Sequence, residues 1–155
     1  MKMVAHVRRL AQIVTSPRDA WLLARMLGWS LALPLLKRTV PLPRLVSLLQ
    51  LDPQVDRRDP RREERLSALS DWVFRSRPRR SRDNCLDRSL VTYRYLGRAG
   101  AEPTIIVGVA KGAASSITGH VWVTVDGKPV HDEAESLADF AALTAFNAHG
   151  RAIQY

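Results

Sequence analysis

A chain of 155 residues, 46% apolar, suits one domain with an added helical segment and excludes a disordered chain. Its one cysteine excludes an intramolecular disulfide framework, disfavours a cysteine-built zinc site and fits a reducing cytoplasm. A net charge of +9, carried mainly by arginine, points to an acidic or polyanionic partner, or to the composition of an arginine-rich proteome.

The start, Met1 to Leu10, lacks the continuous apolar stretch and cleavage site of a secretory signal. Residues 1–59 read as an N-terminal helical segment. Ser16-Pro17-Arg18-Asp19 is a helix start, with Ser16 as cap, Pro17 in the first turn and Asp19 at the positive end of the dipole. The most apolar stretch, Ala20 to Leu36, carries Arg25, Gly28 and Pro34 and is marginal for a membrane span. It reads as a buried or surface-docking helix, with peripheral membrane contact as the lesser alternative. Pro34, Pro41 and Pro43 are expected to break the segment, and Arg44 to Leu51 adds one or two more turns.

Asp52-Pro53 and Asp59-Pro60 mark turns. Pro60 opens a predicted helix to about Phe74, with Leu66, Leu69, Trp72 and Val73 on its apolar face. The run from Arg75 to Arg82 reads as a solvated linker. Without interleaved aromatics or a binding motif it argues poorly for nucleic acid, and an acidic peptide or protein is the second reading.

Residues 60–155 form the predicted chemistry-bearing domain. Asp83 or Asn84 caps a helix from about Cys85 to Arg98, and Gly100 stops it. Thr104 to Val109 is a β-branched strand and Lys111 to Thr118 a loop. His120 to Thr124 is a strand, Asp126-Gly127 a turn, Lys128 to Asp132 the return strand, and a short helix starts near Ser136.

Three residues of this stretch suit nucleophilic acyl chemistry: Cys85 as nucleophile, His120 as base and Asp132 as orienting acid. A thiol at a helix N-terminus is favoured as thiolate by the unpaired amides and the dipole. The Cys85 N–H is a candidate oxyanion donor; Asn84 is a second, although capping is its commoner job. Strand alternation puts His120, Trp122 and Thr124 on one face and Val121, Val123 and Val125 on the core face, making Trp122 and Thr124 substrate-cleft candidates. A two-residue turn places His120 opposite Glu133; a three-residue loop with a bulge at Gly127 places it opposite Asp132. Either register supplies a carboxylate beside His120, and the bulged one is favoured in part by the family resemblance that follows. His6, His131 and His149 read as non-catalytic, and in the bulged register His131 would point away from His120. Each feature has a plainer reading: a lone helical cysteine is usually a small buried apolar residue, and a strand histidine is usually structural.

Cys85-Leu86-Asp87-Arg88-Ser89-Leu90, the Ile105 to Val109 strand, Gly119 to Gly127 and Asp132 together resemble the lasso-peptide leader peptidases, transglutaminase-like cysteine proteases. The resemblance covers residues 60–155. It departs at Val121 and Thr124, where the family often has a small residue and an acid. It implies an α+β fold with a papain/transglutaminase-like core: a nucleophile at a helix N-terminus packed on an antiparallel sheet, preceded by the helical segment. It also implies Cys85, His120 and Asp132 as a catalytic triad, with no cofactor and no metal. The chain resembles the split form, without its own leader-recognition domain. The implied partners are a precursor peptide with a leader, a stand-alone leader-recognition protein and an ATP-dependent lasso cyclase.

Overall fold

Ser16 starts the first helix through a capping box, its hydroxyl accepting from the Asp19 N–H while the Asp19 carboxylate accepts from the Ser16 N–H. The structure, a computed structural model, describes residues 14–50, 57–75, 84–111 and 116–154. Asp83, most of the arginine-rich run and the side chain of Asn84 lie outside the described residues. Four helices come first: α1 (Pro17–Thr39), α2 (Leu42–Leu49), α3 (Pro60–Arg75) and α4 (Asn84–Arg98). The strands β1 (Pro103–Lys111), β2 (Ile117–Val125) and β3 (Lys128–Pro129), the short helix α5 (Ala134–Leu137), β4 (Ala141–Phe146) and β5 (Ala152–Ile153) follow.

Pro34 does not break the first helix as expected. It sits inside α1, which runs on to Thr39. A proline forgoes one backbone hydrogen bond but tolerates helical φ, and burial of Met26 and Leu33 before it, with Leu36 packed on the core after it, holds the helix together. Pro41 does act as a boundary, as the N-cap of α2. Among the described residues no helix is long and apolar enough to cross a membrane.

The fold is α+β. Five antiparallel strands in the order β3-β2-β1-β4-β5 carry α1 to α4 on one face. Val121, Val123 and Val125 face that helical side, as alternation requires. They join a core that includes Met26, Leu45, Leu69, Tyr93 and Ile105, so the N-terminal helices share one core with the sheet. Burying side chains such as Leu69 and Leu90, both 0% exposed, stabilises the stack by about 2 kcal/mol each. The opposite sheet face buries a smaller cluster, Ile106, Trp122 and Ala145, under Leu137 and Phe140.

The β2–β3 connection corrects the favoured register. Val125 pairs with Lys128 and Thr124 with Pro129, so the loop has two residues and no bulge. Asp126 and Gly127 both have positive φ, 53° and 74°, as a type I′ turn demands. Continued, this register would set Glu133 against His120. The return strand is shorter than expected, however: after Pro129 only the Val130 N–H still reaches back, to the Val123 carbonyl. The chain then leaves the sheet, and neither acid is paired with His120 through the ladder. Strands β4 and β5 were not expected. Ala-Ala-Leu-Thr-Ala-Phe is poor in β-branched residues, and pairing with β1 overrides its local preference.

Candidate active site

Because β3 stops early, β2 is an open edge at His120, and α4 fills the gap. Cys85 and Ser89, one turn apart, lie on the same face of α4. The buried Ser89 hydroxyl donates to the Val121 carbonyl at 2.9 Å, and the Val121 N–H bonds the Cys85 sulfur. Two side chains of α4 thus take the ladder positions that a longer β3 would have occupied. They hold the first turn of α4 against the residue next to His120.

The three expected residues converge. The Cys85 thiol is half-buried and hydrogen-bonded to His120. His120 Nε2 lies 3.4 Å from Asp132 Oδ1, which leaves Nδ1 as the ring nitrogen for the thiol. Asp132 therefore lies beside His120, but on a bend beyond the sheet rather than at a paired strand position. Glu133 is exposed and is the N-cap residue of α5.

What brings Asp132 there is Arg88, a residue the sequence reading did not assign. Its Nη2 donates to both carboxylate oxygens, at 2.8 and 2.9 Å, and its Nη1 lies 3.9 Å from Asp71 of α3. Arg88 is three residues after Cys85, so one face of α4 presents both the thiol and the cation that fixes the acid. That i, i+3 spacing was a visible signal. The preceding residue is anchored too. His131 Nε2 meets Thr92 Oγ1 at 2.8 Å and Ser70 Oγ at 3.1 Å, which turns the ring toward α3 and α4. Burial, and secondarily the charge of Arg88, pushes His131 down to about 4, so it stays neutral.

The electrostatics favour a charge-separated pair. Burial alone would raise the Cys85 thiol, but its bond to His120, the Val121 and Leu86 amides and the His120 charge outweigh burial and bring it below the ordinary thiol value. His120 is pushed up to about 9 by its bonds to Asp132 and then Cys85, against burial. Burial raises the Asp132 carboxyl, but His120 and Arg88 bring it down to about 2. A thiolate beside an imidazolium can attack a carbonyl carbon and then protonate a leaving group. The Cys85 N–H lies in the first turn of α4, where amides have no intrahelical partner, and is available to an oxyanion.

Trp122 and Thr124 are 6% and 5% exposed, so neither offers a surface to a substrate. Trp122 instead backs His120, ring centroids 6.0 Å apart, while Phe140 flanks the imidazole at 5.4 Å. The indole fits because Gly108, opposite His120 on β1, has no side chain; a Cβ there would lie 2.7 Å from the ring. Lys37 of α1 holds the buried Asp87 of α4 at 2.8 Å, although Asp87 Oδ1 lacks hydrogen-bond geometry, so the contact neutralises charge without directing it. Among the described residues no group of His, Cys, Asp and Glu is arranged to hold a metal ion.

A thiol at a helix N-terminus, set against an antiparallel sheet that carries a histidine, defines a papain/transglutaminase-like α+β protein. Residues 27–145 match the family model of the transglutaminase-like superfamily, and the chain belongs to that superfamily, which generally contains Cys-His-Asp enzymes. No curated protein and no solved structure matches the chain.

Proposed function

We propose that this protein is a cysteine endopeptidase that removes the leader from a lasso-peptide precursor, with Cys85 as nucleophile, His120 as general base and acid, and Asp132 as the orienting acid. The observation that carries the reading is the approach of three residues, from a helix start, a strand edge and a bend, to one hydrogen-bonded line. The Cys85 to Leu90 motif and the family resemblance supply the substrate class.

In this reading the Cys85 thiolate attacks the carbonyl of the last leader residue, and the developing oxyanion meets the Cys85 N–H. The His120 imidazolium gives its proton to the departing amine as the C–N bond breaks, leaving a thioester and a free core N-terminus. Neutral His120 then takes a proton from water, whose oxygen adds to the thioester carbonyl. The leader leaves as a carboxylic acid, and the thiolate–imidazolium pair is restored. A partner cyclase would use the freed amine for ATP-dependent macrolactam formation, and a separate recognition protein would deliver the leader.

The test is cleavage of a leader-bearing precursor by the protein with its recognition partner, read by mass spectrometry. Cleavage is expected with the wild-type chain and lost in Cys85→Ala; persistence in Cys85→Ala would sink the proposal. Superfamily membership gives one alternative its footing, a transglutaminase-like acyltransferase in which an amine takes the thioester. An added primary amine distinguishes them: the peptidase releases a free acid, the transferase an amide.

A further inference from the structure

We propose that an arginine-lined cleft between α1 and α3, which shares no residue with the Cys85 centre, is a binding site for an acidic peptide segment. The inference stands on the cleft itself and goes beyond the peptidase reading. The cleft has a volume of about 1040 Å³, at the upper end of ligand-binding sites. Six arginines line it against two aspartates, and none of its cations is a lysine.

Both aspartates are already engaged. Asp19 accepts the Thr15 and Ser16 amides and sits 3.6 Å from Arg65, and Asp59 accepts the Arg61 N–H. Arg25 makes no ion pair among the described residues. The wall therefore keeps an excess of guanidinium groups, whose planar forks match carboxylates two bonds at a time.

The floor adds a second, independent observation. Tyr95 is 3% exposed, lines the cleft, and its hydroxyl is buried with no hydrogen-bond partner among the described residues. Such an orphan costs about 1–3 kcal/mol unless something satisfies it. Arg25 and Arg98 lie near enough to act on it electrostatically, and a carboxylate bound between them would accept its O–H.

The shape favours a peptide over other anions. A flat anionic bilayer cannot reach the Tyr95 hydroxyl. A nucleic-acid backbone carries charge at every step and would draw it past Leu22, Leu66 and the two aspartates. A peptide can place acids at the arginines and apolar residues on Leu22, Leu66 and Trp21, which is 67% exposed.

A fluorescein-labelled peptide of repeating Glu-Glu-Leu triplets tests this by fluorescence anisotropy with the full chain. Saturable binding is expected, with no binding of a Lys-Lys-Leu counterpart. Arg62→Glu, a surface change that spares the fold, and Arg25→Glu should each weaken it about tenfold, and Tyr95→Phe several-fold. Cys85→Ala should leave binding unchanged, which separates this site from the peptidase reading. Absence of saturable binding, or indifference to Arg62→Glu, Arg25→Glu and Tyr95→Phe together, overturns the proposal. Tighter binding of oligothymidylate, or of phosphatidylserine vesicles, that is lost in the same variants overturns it too, assigning the cleft to nucleic acid or membrane.

Discussion

Replacing Asp132 by Asn tests whether the acid sets the charge of the thiol–imidazole pair. The amide keeps the shape, and its oxygen can still accept from Arg88, so the clamp survives while the charge is lost. His120 stands at about 9 against an ordinary 6.5, a preference for the charged ring of about 3 kcal/mol, with Asp132 as the first of its causes. Losing that partner should return roughly 1–2 kcal/mol of the preference and bring His120 toward the ordinary range. The neighbouring thiolate then loses much of its cation near neutrality, and the Cys85 midpoint rises.

Cys85 is the only cysteine, so every thiol signal belongs to it. Iodoacetamide alkylation followed against pH gives the midpoint directly. Asp132→Asn should shift the curve upward and slow alkylation at pH 7 by about tenfold. The same substitution has a stability signature. A raised His120 contributes stability that is fully present below about 6.5 and fades as pH rises through about 9. The stability gap between wild type and Asp132→Asn should therefore narrow across that window. Alkylation curves that superimpose would refute the assignment of Asp132 as the group that charges His120.

Four further outcomes follow from the same contacts. Arg88→Gln strands a half-buried carboxylate and should cost about 2 kcal/mol in chemical denaturation, with a larger fall in kcat than any rise in KM. Gly108→Ala puts a methyl group 2.7 Å from the Trp122 ring; it should cost about 1–3 kcal/mol, alter tryptophan fluorescence and lower activity by moving the indole that backs His120. Ser89→Ala leaves the Val121 carbonyl without its buried donor and should lower stability by about 1 kcal/mol in thermal melts. Gly127→Ala strains a φ of +74° where there is open space, so its cost of about 1 kcal/mol should appear in stability with little effect on alkylation of Cys85.

Much of the site was legible because its signals are local. Helix α4 starting beside Cys85, the valine face of β2, the Asp-Gly turn and Gly100 at positive φ each follow from short-range sterics or periodicity. The failures came where tertiary contacts outvote local preference. Pro34 stays helical because Leu33 and, in part, Leu36 anchor the helix in the core, and the alanine-rich β4 becomes a strand because β1 offers it an edge. Trp122 and Thr124 were placed on the right face, but alternation does not say what covers a face, and Leu137 and Phe140 close over the indole. The expected bulge at Gly127 was a device to bring Asp132 to His120 along a ladder, and the molecule uses an arginine instead.

The sequence by itself determined the inventory: one thiol at a helix start, one histidine on the next strand pair, acids just past a tight turn, and a surplus of arginine. Only the tertiary structure decided which acid lies beside the histidine and where the arginines gather. Hairpin pairing is a one-residue choice that flips every side chain, and here it favours Glu133 until the chain leaves the sheet. The decision falls to Arg88, 44 residues from Asp132 in sequence and 2.8 Å away in space, a contact that only the packing of α4 against β2 creates.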